Sequence, residues 1–121
     1  MHFQDLAVYK QASGLFPRIY NLVRSWKPFD QHHLGSQMIR ATNSIHANLA
    51  EGQSRSTRDY IRFITMALGS CDEMRSHLLD CVNVGLLSQE MYQELDREYV
   101  AVGKQLTMLR KSLQARLTSS P

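Results

Sequence analysis

The sequence predicts an all-α chain folded as an antiparallel up-down-up-down four-helix bundle. Three observations predict it. Apolar residues recur at intervals of three and four along four long stretches. Short breaks containing Pro, Gly and Ser separate those stretches. No stretch alternates apolar and polar residues as a half-buried strand would. Long helices joined by short connections must lie as antiparallel neighbours. The chain has 121 residues, which fits a single domain, 1–121. That length buries a core without metal or disulfide staples.

The first helix is expected over 5–24, with Asp5 as its cap. Leu6, Tyr9, Phe16, Ile19, Tyr20 and Val23 mark its core face, and Val8, Ala12, Leu15 and Leu22 add a second apolar stripe. This is more apolar width than one seam needs. The helix is either deeply buried or presents one face to another subunit. Gly14 and Pro17 interrupt it, and Pro17 should kink it by removing one backbone hydrogen bond. The loop over 26–31 follows, broken by Pro28, with Asp30 as a cap for what comes next.

The second helix, over 31–51, carries two kinds of face. Leu34, Met38, Ala41, Ile45 and Leu49 form an apolar seam. Gln37, Arg40, Ser44, Asn48 and Glu51 form a polar stripe beside it. Polar groups stay next to a packed surface only when they find partners. Gly52 should end this helix in the left-handed conformation that glycine tolerates.

Ser56 with Asp59 reads as a capping box for the third helix, which runs to 84 with Gly85 as its stop. Its seam is Tyr60, Phe63, Ile64, Ala67, Leu68, Cys71, Met74, Leu78 and Val82. Gly69 in mid-helix costs about 1 kcal/mol against alanine, so a close neighbouring helix is expected there. Ser88 caps the fourth helix, which runs to 117 on a seam of Leu95, Tyr99, Val102, Leu106, Leu109 and Leu113.

The chemistry these residues exclude is as informative. Cys71 and Cys81 lie ten apart on one helix, a span of ~15 Å that no disulfide bridges, so both read as buried free thiols. A C-x-x-C pair, a glycine-rich phosphate loop and a G-x-S-x-G elbow are all absent from the sequence. Glu73 and His77 stand four apart, once, unlike the repeated Glu-x-x-His pairs of di-iron bundles. His32, His33 and His46 read as loop or surface histidines. The expectation is a non-enzyme with no catalytic residue, no cofactor, no metal and no small-molecule substrate.

Hydrophobic residues make up 43% of the chain and charged residues 21%, which excludes a disordered chain. No apolar run approaches the ~20 residues that span a bilayer. The opening MHFQDLAVYK lacks the basic-then-apolar pattern of a signal peptide. A cytoplasmic protein with no membrane partner is expected.

The polar stripe and the charges supply the candidate site residues. Arg40 should stand level with Leu68 and Gly69 and reach Glu73 in a bidentate pair. Asn48 and Glu51 should tie down the turn that follows. The net charge is +3 and the isoelectric point about 9.1, a balance that permits an anionic partner. In the expected topology Arg55, Arg58 and Arg62 share an end with Arg110, Lys111 and Arg116. Asp72, Glu73, Asp80, Glu90, Glu94, Asp96 and Glu98 collect at the other end. Acids at the start and bases at the finish of the fourth helix suit its dipole. Arg55, Arg58 and Arg62 oppose that of the third, with Asp59 as a local offset. The six cations are candidate contacts to an RNA or DNA backbone, against the plainer reading of a solvated face.

The run Arg40-Ala41, Ser44-Ile45, Asn48-Leu49-Ala50-Glu51-Gly52 resembles the signature of the bacterial four-helix-bundle family called the 23S ribosomal RNA intervening-sequence protein family. Ala67, Gly69-Ser70 and Glu73 make a second match in the same order, and the resemblance extends over 3–117. It implies a homo-oligomeric ring of five subunits, so the first partner is the chain itself. It implies no activity, because the family has none established. It also brings a distant similarity in fold to the accessory variability protein of diversity-generating retroelements, a basic ring that binds nucleic acid. The expected function is a non-catalytic oligomeric scaffold or binding module that contacts RNA or DNA through its basic end. The alternative is a protein–protein interaction adaptor without nucleic acid.

Overall fold

The computed structural model describes residues 2–119. They are all-helical, with four long helices and no strand among the described residues. The helices are α1 (Ala7–Arg24), α2 (Ser36–Gln53), α3 (Thr57–Asn83) and α4 (Gln89–Ser119).

A 3-10 turn, Phe3–Asp5, precedes α1. Asp5 therefore belongs to that turn and does not cap α1, whose cap position is Leu6 with no side-chain bond. Pro17 lies inside α1 without ending it, and the helix runs on to Arg24. The core face of α1 is shifted from the expected one, keeping Ile19 and Val23 but taking Val8, Ala12 and Leu15 from the second stripe. Val8, Ala12, Leu15, Ile19 and Val23 are the buried residues, spaced by four, three, four and four. Tyr9 and Phe16 are half-buried and Tyr20 is 46% exposed. Both stripes have helical spacing; the compact aliphatic one fits between two neighbouring helices and the aromatic one borders it.

Helical structure begins again earlier than the sequence suggests. Pro28 opens a single α turn, Pro28–Asp30, at the first helical position where its missing N–H costs nothing. A π turn, Gln31–Gly35, leads directly into α2. Asp30 thus sits in a first turn rather than capping a helix. At the other end Gly52 does not terminate α2. It is buried inside the helix, which continues to Gln53. A Cβ on Gly52 would lie 2.7 Å from Phe63 Cβ and 3.0 Å from Tyr60 Cδ1. The glycine is there because α3 crosses against its backbone.

Both ends of α3 follow local rules. The Ser56 hydroxyl accepts from the Asp59 N–H at 3.2 Å. Past Asn83, Gly85 takes φ +80°, its N–H donates to Val82 O at 3.1 Å, and Leu86 N–H donates to Cys81 O at 2.8 Å. That is a Schellman ending, which satisfies two carbonyls the helix leaves open. The Ser88 hydroxyl accepts from Met91 N–H at 3.1 Å and starts α4. Gly69 differs from expectation: nothing lies within 4 Å of the Cβ it lacks, and it faces solvent.

α2 packs most extensively on α3, α3 on α4, and α1 on α2 with a lighter contact to α4. Paired residues run in opposite sequence directions. Met38 meets Cys81 and Ser44 meets Ser70 between α2 and α3. Arg75 meets Asp96 and Thr65 meets Arg110 between α3 and α4. Gln11 meets Gln105 and Arg18 meets Glu94 between α1 and α4. The shared core includes Leu15, Ile19, Met38, Ile45, Leu49, Ile64, Met74, Leu78, Val102 and Leu106, all at most 1% exposed. Each such side chain contributes roughly 1.5–3 kcal/mol by leaving water. Cys71 and Cys81 are free and buried in the same core.

Candidate nucleic-acid interface

The polar stripe of α2 is only partly engaged. Ser44 and Asn48 are half-buried; Gln37, Arg40 and Glu51 are exposed. The Ser44 hydroxyl donates to Ala41 O at 2.9 Å and also meets the Ser70 hydroxyl. The Asn48 amide donates to Ser44 O at 2.7 Å, so it serves α2 itself rather than the turn. Glu51 takes Arg55 as its ion-pair partner across the turn. The expected Arg40–Glu73 pair is not formed. Glu73 Oε2 instead meets His77 Nε2 at 3.0 Å on its own helix. Arg40 and Glu73 are both exposed, outside the buried seam between α2 and α3. The Arg40 guanidinium has no hydrogen bond or ion pair among the described residues.

The six candidate cations occupy the region where α2 ends, α3 begins and α4 finishes. Their pairing is uneven. Arg55 is held by Glu51, and Arg62 lies 3.8 Å from Asp59. Both guanidinium groups also lie over the Phe63 ring, at 5.2 Å and 4.8 Å from its centroid. Arg110 donates to the Thr65 hydroxyl at 3.3 Å. Arg58, Lys111 and Arg116 have no acidic partner among the described residues.

At this end the core opens into a cavity of about 420 Å³. Leu6, Leu109 and Leu113 supply its apolar lining, and Gln53 and Thr57 its polar lining. Arg55 and Arg116, both exposed, stand at its edge. Tyr60 lines it as well and is 8% exposed. The Tyr60 hydroxyl is buried with no hydrogen-bond partner among the described residues, and burial raises its pKa. Such a group forfeits its water without compensation.

Three of the seven acids gathered toward the other end, Glu94, Glu98 and Asp96, are tied sideways to arginines. Arg18 bonds Glu94 at 3.1 Å and approaches Glu98 at 3.9 Å. Arg75 grips Asp96 through Nε at 2.8 Å and Nη2 at 3.3 Å. Asp80 and Glu90 have no cationic partner among the described residues, and Asp72 adds its charge to the field around Arg75 without a close ion pair. The contrast between the two ends therefore lies in which charges are left over.

Three groups escaped the sequence reading. Thr42 is fully buried and shares a 2.8 Å hydrogen bond with the Tyr99 hydroxyl across the core. His77, 9% exposed, joins the core edge. His46 is half-buried: its ring lies edge-on to Tyr9 at 5.7 Å and to Phe16 at 6.0 Å. Its Nδ1 is buried and lacks a partner of hydrogen-bonding geometry. Burial lowers the His46 pKa, with the Thr42 backbone opposing that shift.

Among the described residues no three His, Cys, Asp or Glu side chains converge where a metal could be held. No described helix is long and apolar enough to cross a membrane.

Comparison with known proteins gives one family and one fold. A family model described as "23S rRNA-intervening sequence protein" matches residues 4–108. A crystal structure of a protein of unknown function from the S23 ribosomal protein family of Bacteroides thetaiotaomicron is similar in fold, with a TM-score of 0.79 and 22% identity over 92% of this chain and 99% of that one. No curated protein matches the chain.

Proposed function

The chain belongs to the 23S rRNA-intervening sequence protein family, and on that premise we propose that it is a non-catalytic, homo-oligomeric binding module that contacts RNA or DNA through its basic end. The one observation that carries this reading is the leftover charge. Arg58, Lys111 and Arg116 lack acidic partners where α3 begins and α4 finishes. A cation at the start of α3 opposes the helix dipole, at a cost of roughly 0.3–1 kcal/mol. A phosphate backbone would reverse that cost and add counterion release.

The architecture that goes with this reading is an antiparallel up-down-up-down four-helix bundle, repeated as a five-membered ring in the cytoplasm. Two unlike apolar surfaces support ring assembly. One is the aromatic border of α1, with Phe16 and Tyr20. The other is an open groove of about 690 Å³ between α3 and α4, lined by Leu68, Val100 and Met108 among others, the last 72% exposed. Different surfaces meeting head to tail close a ring when the rotation permits. Repetition around a ring would multiply weak phosphate contacts by avidity. The second reading, a protein-docking adaptor without nucleic acid, draws on the same exposed apolar surface.

A filter-binding titration with labelled RNA and DNA at two salt concentrations tests the proposal, beside light scattering of the same sample. Wild-type binding should weaken as salt rises. Arg55→Glu/Arg58→Glu should weaken it further and reduce the logarithmic salt slope by roughly 1.4 on a single strand, with the oligomer intact. An intact oligomer that binds neither polymer makes the basic end a solvated face and favours the adaptor.

A further inference from the structure

The open groove between α3 and α4 is charged unequally on its two sides. On the α3 side Arg75 is already closed on Asp96, and Asp72 lies in the field of the same arginine. On the α4 side the charge is left over. Among the described residues Lys104, exposed, has no acidic partner, and Arg110 reaches only the Thr65 hydroxyl. Arg97 and Lys111 stand seven residues to either side of Lys104 on the same stripe of α4, exposed and equally unpaired among the described residues. The three cations make a row ~21 Å long beside the groove. Between the two sides lie Leu68, Val100 and Met108, the last 72% exposed. Gly103 opens the middle. A glycine inside a helix weakens it, and nothing lies within 4 Å of the Cβ this one lacks.

We propose that this groove seats an acidic amphipathic helix of a partner protein, its apolar stripe on Leu68, Val100 and Met108 and its carboxylates on Arg97, Lys104 and Lys111. The inference goes beyond nucleic-acid binding at the basic end. It gives the groove an occupant other than the neighbouring copy of the ring reading, and charge complementarity chooses between them. The α1 border of a neighbour would bring Lys10 and Arg24, both exposed cations, against the cations of α4. A phosphate backbone would answer the row and leave Met108 and Leu68 facing water. An extended peptide finds no strand edge on two helices to take its backbone hydrogen bonds. A helix satisfies its own backbone, and apolar groups at i, i+4 and i+7 match a groove between two helices. The cation row sets the length of the partner segment at about 14 residues, with acids seven apart.

The test uses the intact protein and two fluorescently labelled helical peptides that share one leucine stripe. One carries glutamates on both flanks of the stripe, the other lysines. Fluorescence anisotropy should show the glutamate peptide binding about tenfold more tightly or better, with affinity falling as salt rises. Arg97→Glu/Lys104→Glu should invert that preference and leave RNA affinity at the basic end unchanged. Gly103→Leu has open space for its new side chain, so its melting temperature should hold or rise while glutamate-peptide affinity falls about tenfold. Absent or equal binding of the two peptides overturns the inference, as does affinity indifferent to Gly103→Leu. A Gly103→Leu variant that folds but loses its oligomer in light scattering overturns it too, and gives the groove to a neighbouring copy. RNA affinity lost in Arg97→Glu/Lys104→Glu with the peptide preference intact overturns the charge pairing and gives the row to a polyanion. RNA binding that fails everywhere while the peptide preference holds strikes the basic end and leaves the groove standing.

Discussion

Two tyrosines show how much a single hydrogen bond decides. Tyr60 carries a buried hydroxyl with no partner, whereas the Tyr99 hydroxyl, 0% exposed, finds Thr42 at 2.8 Å. Removing only one member of the Thr42–Tyr99 pair orphans the other. Tyr99→Phe should therefore lower stability by about 1–3 kcal/mol in denaturant titration, and adding Thr42→Val should recover part of that loss. Nothing in the sequence exposes this pair, because periodicity ranks positions by apolar content and Thr42 sits outside the seam it defines. His46 was unreadable for a related reason. Its burial depends on Tyr9 and Phe16, thirty or more positions away. With a folded pKa below the ordinary 6.5, the unfolded chain takes up the proton first. His46 thus favours the folded state fully above pH 6.5 and progressively less as pH falls below it. Melting temperature measured from pH 7.5 downward should decline, and His46→Gln should flatten the decline.

At the scale of the helix, the readable features are the ones whose causes are local. The Ser56 cap, the Gly85 stop and the Ser88 cap each depend on a few neighbouring residues, and all three stand where their sequence chemistry puts them. The misread features have distant causes. Gly52 looks like a helix terminator, yet its role is to let Phe63 and Tyr60 approach the α2 backbone. Gly69 looks like a contact point, yet it borders open space. The two glycines should answer oppositely to the same change. Gly52→Ala forces a methyl against Phe63 and should cost about 1–3 kcal/mol. Gly69→Ala should gain about 1 kcal/mol from helix propensity. Thermal melts of the two variants, side by side, check both. The shift of the buried stripe on α1 has the same origin. Two stripes of helical spacing compete there, and only the width of the gap between neighbouring helices selects Val8, Ala12 and Leu15.

Across the whole molecule, the helix count and the separation of charge came through because they depend on order and length alone. Which cations meet which acids did not, since that turns on register to within one helical turn. Arg40 and Glu73 do not pair, and Glu73 goes to His77 instead. The same close packing seals both thiols. Cys71 is 2% and Cys81 0% exposed, and burial pushes each thiol up to about 12. A thiol in that state offers an oxidant almost no thiolate. The fold is therefore indifferent to the redox poise around it. The sealed pair also makes a clock. Each sulfur should react with a thiol-specific reagent only in the moments when its part of the core opens. The rate at which the reagent colours the solution then counts those moments, with no label added to the chain.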